Sequence, residues 1–159
     1  MKRAFAAIDR GVETFVAAIF AAMCVVGLLQ VFNRFVLNKS LSWSEEFQIF
    51  CHVWIVFLAI PIAYRRGAHL AIESFRARLP RRAGAAFDLG IELLWAAFAG
   101  SLAWLSYRVA QVAQLQHSPG LEIPMSWPYY GMVVGGVYLL FVVARRLAGE
   151  PVAREKAPS

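Results

Sequence analysis

The sequence predicts an all-α integral membrane protein with four transmembrane helices, both termini cytoplasmic, and a short interfacial amphipathic helix in its central loop. Three observations carry this. Four runs are free of Asp, Glu, Lys and Arg: Thr14 to Asn33, Phe47 to Tyr64, Leu93 to Tyr107 and Ile123 to Ala144. A helix rises about 1.5 Å per residue, so about 20 residues cross a hydrocarbon core of about 30 Å. The first, second and fourth runs meet that length, and the third does so once Glu92 is admitted near one end. The second observation is composition: of 159 residues, 60% are hydrophobic, with a mean hydropathy of +0.56. A soluble domain of this size would leave a large apolar area in water. In lipid the backbone must satisfy itself, by helices or by a closed barrel. Barrel strands are about 10 residues of strict alternation; these runs are longer and apolar on all faces, so helices win.

The third observation is where the charge lies. The net charge is +6, which in isolation suggests nucleic acid, but its placement is that of a topology signal. Lys2, Arg3 and Arg10 precede the first helix. Arg65, Arg66, Arg76, Arg78, Arg81 and Arg82 lie between the second and third, and Arg145, Arg146, Arg154 and Lys156 close the chain. On the other side are Arg34, Lys39 and Arg108. The side richer in Lys and Arg is cytoplasmic, so both termini are placed inside, with arginines available to anionic lipid heads. No nucleic-acid partner is called for.

Taken in order, the helices are expected over about 12–33, 44–64, 87–110 and 124–146, forming one membrane domain, with 150–159 a flexible tail. The N-terminal apolar run is too long for a signal-peptide core and ends in no A-x-A site, so it reads as an uncleaved first helix. Ser42 and Glu45 have capping-box spacing at the start of helix two, where Glu45 and Glu46 also suit the helix dipole and Trp43 suits the interface. Either this is an ordinary helix start, or Arg34 and a glutamate hold helices one and two together or contact a partner subunit. Pro61 falls late in helix two. His52, mid-helix, reads as a packed polar residue bonded to a neighbour rather than as a ligand. Leu70, Ile72, Phe75 and Leu79 fall largely on one helical side before Pro80, which fits a helix lying in the interface; an irregular loop is the alternative. Asp88 and Glu92 share a face at the start of helix three, with Arg65, Arg66 or Arg82 as expected partners. Ala96, Ala99, Gly100 and Ala103, and the Gly131-x-x-x-Gly135 spacing in helix four, permit close helix approach. Cys24 and Cys51 read as buried, inert thiols.

No nucleophile with a base, metal cluster or phosphate-binding glycine loop occurs, so no catalytic residue, metal or cofactor is assigned. One competing reading is a haem-carrying four-helix anchor of a respiratory oxidoreductase. That needs two facing intramembrane imidazoles, whereas His69 and His117 fall in loops. A self-sufficient exporter would need a central acidic residue, and each acid here lies near a helix end.

The polar junctions together resemble the small, DctQ-like membrane subunit of tripartite ATP-independent periplasmic (TRAP) transporters. The resemblance rests on Asn33-Arg34-Phe35 after helix one, Ser40 to Glu46 opening helix two, Trp54 within it, and Arg66-Gly67-Ala68-His69-Leu70 after it. Leu121-Glu122-Ile123-Pro124-Met125, then Trp127 and Tyr130, complete it at the entry to helix four. Ala59 stands where the family often has glycine. The resemblance implies a non-catalytic subunit in the bacterial inner membrane. It would scaffold a large multi-helix permease subunit of a sodium-coupled transporter importing organic acid anions, of the C4-dicarboxylate type or related. A periplasmic substrate-binding protein would deliver the anion. The residues implied as interface or structural motif are Asn33, Arg34, Trp43, Glu45, Glu46, Trp54, Arg66, His69, Leu121, Glu122, Pro124, Trp127 and Tyr130.

Overall fold

The computed structural model describes residues 2–66 and 80–149, and these form four long helices: α1 (Lys2–Phe35), α2 (Ser42–Arg65), α3 (Arg81–Ala113) and α4 (Ser126–Leu147). The central-loop segment expected to form an interfacial helix, His69 within it, and the 150–159 tail lie outside the described residues. Each of the four helices is long and apolar enough to cross a membrane. They outrun their uncharged cores at one end: α1 carries Asp9 and Glu13 in its first turns, and α3 carries Asp88 and Glu92. Asp9, Glu13 and Glu92 are tolerated there because they meet arginines.

The helices alternate in direction. α2 and α4 pack against each other at the centre, α1 lies on α2, and α3 lies on α4. The start of α1 and the end of α4 meet at one end of the bundle, where Phe5 and Phe141 stack edge to face at 5.5 Å. From that end a cluster of buried side chains extends inward: Tyr64, Ala99, Tyr138, Leu139, Val142 and Val143. Elsewhere the surface is apolar, with Phe20, Leu28, Phe35, Leu94 and Val112 all exposed. Such a surface is suited to lipid or to other membrane helices and not to water.

Glycine sets how closely the central pair approaches. Pro61 has no N–H to offer the Phe57 carbonyl, and α4 crosses at that point. A Cβ on Gly135 would lie 2.5 Å from the Phe57 oxygen, and one on Gly131 would lie 2.9 Å from the Trp54 ring. Gly136 faces the other way, where a Cβ would come within 3.0 Å of the Ala99 carbonyl oxygen and the Ala103 amide. α4 is thus flattened on two sides, one for α2 and one for α3. Ala99 and Ala103 form the seat for α3, whereas Gly100 has open space around it.

Candidate functional site at the polar ends of the bundle

The charged side chains gather at two ends, and the two are built differently. At the first end Asp9, only 3% exposed, accepts a hydrogen bond from the Tyr138 hydroxyl at 2.8 Å. It also pairs with Arg65 at 3.2 Å and Arg145 at 3.1 Å. One carboxylate of α1 therefore joins α2 and α4. A turn later Glu13 pairs with Arg65 and with Arg66, the latter at 3.1 Å. Glu92 of α3 is buried, accepts the Tyr64 hydroxyl of α2, and pairs with Arg146 of α4 at 2.7 Å. The guanidiniums are also packed against rings: Arg145 lies 4.6 Å from the Phe5 centroid, and Arg146 lies 5.1 Å from that of Tyr64. All four helices are stitched here through side chains.

At the opposite end one carboxylate holds a loop. Glu46, in the first turns of α2, accepts the Ser118 hydroxyl. It also accepts the backbone N–H groups of Gly120 at 3.0 Å and Leu121 at 2.9 Å. Residues 114–125, which join α3 to α4, fold back on themselves. The Ser118 N–H donates to the Ile123 carbonyl, and the Met125 N–H donates to that of Gln116, both at 2.9 Å. Glu122 takes a left-handed conformation at φ 57° to close the turn, and Gly120 lies so near α2 that a Cβ would meet the Ser42 carbonyl oxygen at 3.0 Å. About two turns further along α2, the Trp54 indole donates to the Trp127 carbonyl at 3.2 Å and meets Phe15 of α1 edge to face. Trp54 so touches α1 and α4 at once.

The structure brings Glu46 together with Leu121, and Trp54 with Trp127. Trp43 stacks edge to face on Phe47 within α2, and Asn33 returns its amide to the Leu29 carbonyl of its own helix at 2.9 Å. Arg66 joins the first end through Glu13. Glu122 and Pro124 shape the loop, the latter bridged to His117, and Tyr130 is half-buried on α4. Arg34 and Glu45 are exposed and stay apart from the clamp.

Five readings need correction. The capping box is not formed: Leu41 is the N-cap with no side-chain bond, and the buried Ser44 hydroxyl bonds the Leu41 carbonyl at 2.7 Å. The helix start is held instead by the docked loop, which engages Glu46. Helices one and two are not joined by Arg34: Gln30 reaches Gln48 at 2.8 Å and Glu45 at 3.4 Å. Glu92 takes Arg146 rather than Arg65 or Arg66, because α3 packs on α4 and the α2 arginines are engaged by α1. His52 is exposed on α2, without a hydrogen-bond partner among the described residues. Cys24 is likewise exposed and Cys51 half-buried.

Asp9, Glu13, Tyr64, Tyr138, Ser118 and Gly120 are not singled out by the sequence. Their signals were present: Asp9 and Glu13 at i, i+4, the paired arginines 65–66 and 145–146, and a Ser-Pro-Gly turn. Nothing in the spacing says which acid meets which arginine, however. Among the described residues no group of three or more His, Cys, Asp or Glu side chains could hold a metal ion. What the two ends can do chemically is hold helices and a loop in register.

The profile of the family described as the DctQ component of tripartite ATP-independent periplasmic transporters matches residues 23–150. The chain is 30% identical over 129 residues to the sialic acid TRAP transporter small permease protein SiaQ of Vibrio cholerae, covering 81% of this chain and 75% of that protein. A Haemophilus influenzae protein named as a TRAP transporter small permease is 21% identical over 145 residues, 88% of this chain and 87% of its own length. The isethionate TRAP transporter permease protein DctMQ of Oleidesulfovibrio alaskensis is 26% identical over 110 residues, which are 68% of this chain but 17% of that longer protein. With four helices long and apolar enough to cross a membrane and a family match over residues 23–150, this multi-pass membrane protein belongs to the DctQ family of TRAP transporter small permease components.

Proposed function

We propose that the chain is the non-catalytic small permease subunit of a sodium-coupled, binding-protein-dependent importer of organic acid anions. It extends and steadies the large permease subunit in the bacterial inner membrane. The arginine-rich end faces the cytoplasm by the positive-inside rule, with basic side chains near anionic lipid heads. The Glu46-held loop then faces the periplasm, where the substrate-binding protein docks on the complex. The observation that carries this reading is the charge pairing inside the bundle. The buried acids Asp9 and Glu92 are each engaged by arginine and tyrosine, and among the described residues no carboxylate stands at mid-membrane to load and release a coupling ion. Such a bundle supports a moving partner and does not itself move substrate.

Relatives named for sialic acid and for isethionate share a small organic anion as cargo, which supports the class assigned here. A haem-carrying anchor is not favoured: His117 lies in the α3–α4 loop and His52 points outward, so the two imidazoles do not face one another in the bundle. The test is uptake by cells or vesicles holding the large permease and binding protein, with and without this chain, under an imposed sodium gradient. A panel of dicarboxylates, sialic acids and sulfonates is offered. Sodium-dependent uptake of one class is expected to fall to background without the chain. Full uptake in its absence would overturn the reading.

A further inference from the structure

Beyond exposed Ser42 at its start, the exposed residues of α2 form one row. Glu45, Ile49, His52, Val56 and Ala63 are exposed, with half-buried Ala59 between the last two. Their spacing alternates between four and three residues, which keeps them on one side of a helix. Trp54, which packs against α1 and α4, points about 180° away from that row at 100° per residue. The row therefore runs along the open side of α2, opposite the side that packs on α1 and α4. From residue 45 to residue 63 it extends about 27 Å, nearly the thickness of the hydrocarbon core.

His52 sits ten residues into this 24-residue helix, close to mid-membrane. An imidazole facing lipid there is costly, and polar side chains at that depth ordinarily face protein. Ser101, exposed on α3, resolves the problem within its own helix by bonding the Phe98 carbonyl at 2.9 Å. His52 has no such internal solution. The exposed mid-helix side chains of α1 are suited to lipid: Phe20, Val25, Leu28 and Leu29.

We infer that the row centred on His52 is the seat of a transmembrane helix of the large permease, one that presents a hydrogen-bonding side chain at the depth of His52. The inference rests on the function proposed above and names the surface it uses. Alternating three- and four-residue spacing suits a near-parallel crossing of about 20°, and Ala59 and Ala63 let the partner backbone come close at one end. A partner in the same complex is indicated because a relative named as a permease carries this segment as 17% of a much longer chain. There the remainder of the permease is tethered beside it.

The test places a photo-crosslinking amino acid at position 49, 52 or 56, and at exposed Leu94 or Val112 of α3 for comparison, with the cognate large permease co-expressed. Adducts with the large permease from the α2 positions, and not from α3, are expected. Adducts from α3 alone, adducts between two copies of this chain, or no protein adduct from α2 would each overturn the inference. In parallel, His52→Leu is expected to lower the large permease retained on the tagged chain about threefold, the scale of one interhelical hydrogen bond in a bilayer, with His52→Gln restoring it. Equal retention by both variants and wild type would overturn the polar contact. Wild type retaining no permease at all would overturn the proposed function together with this inference. Retention without α2 adducts would overturn this inference alone.

Discussion

The two ends of this bundle solve the same problem with different atoms. At the arginine end, side chain meets side chain: Asp9, Glu13 and Glu92 face Arg65, Arg66, Arg145 and Arg146, and two tyrosines fill the remaining acceptor positions. At the loop end, one carboxylate meets backbone, with Glu46 collecting the amides of Gly120 and Leu121. The first arrangement connects all four helices. The second connects α2 to the α3–α4 loop and leaves α1 joined there by glutamine side chains alone among the described polar contacts. One end therefore fixes how the helices stand relative to each other, and the other fixes the shape of a surface.

Removing the central charge of the first end is expected to have the largest effect. Asp9→Asn leaves Arg65 and Arg145 near one another without their shared counter-charge, and breaking a buried pair by removing one partner costs about 3–5 kcal/mol. The unfolding free energy of the purified protein in detergent should fall by that order. A loss below about 1 kcal/mol for Asp9→Asn would show that the arginines are solvated by other means, and the contrast between the ends would weaken.

Glu46→Gln comes next. Hydrogen bonds to a charged group are worth about 1.5–3 kcal/mol each, more than those to a neutral one. The glutamine amide keeps one acceptor oxygen, so the loss should be partial, about 1–3 kcal/mol. It should also be local. Amide hydrogen exchange at Gly120 and Leu121 should quicken markedly while the amides around Asp9 and Arg145 keep their protection. If exchange rose equally at both ends, the loop would be part of one cooperative unit and not a separately fastened surface.

How far this was legible in the chain divides along the same line. The four helices were readable because uncharged length is a property of one segment at a time. Gly131 and Gly135 were readable because their spacing is fixed within one helix. Glu46 and Trp127 stand out as members of polar junctions, but their partners do not, since Glu46 meets residues more than seventy positions away. The arginine end was hardest. Arg65 and Arg145 both carry the charge that Asp9 or Glu92 needs, and only the order of helices around the bundle decides among them. The capping box failed for a related reason: a local pattern lost to a distant loop that takes Glu46 and seats Gly120 on the helix start.

The smallest effect is expected where α1 is held at the loop end. Gln48 donates to Gln30 at 2.8 Å in a half-buried position, and Gln30 reaches Glu45 only at 3.4 Å, a weak contact. Gln48→Leu removes one neutral hydrogen bond, worth about 1 kcal/mol or less between membrane helices. It also leaves the Gln30 amide free to turn toward Glu45 or the headgroups. Global stability should therefore change by under about 1 kcal/mol. The informative measurement is the pair: Gln48→Leu in the Asp9→Asn background, followed by the distance between spin labels at exposed Val31 and Ile49 on α1 and α2. If the arginine end is what fixes α1, the distance distribution should stay narrow with Gln48→Leu alone and broaden once Asp9 is also neutralised. Broadening with Gln48→Leu alone would assign the hold on α1 to the loop end instead, and would reverse the division of labour between the two ends.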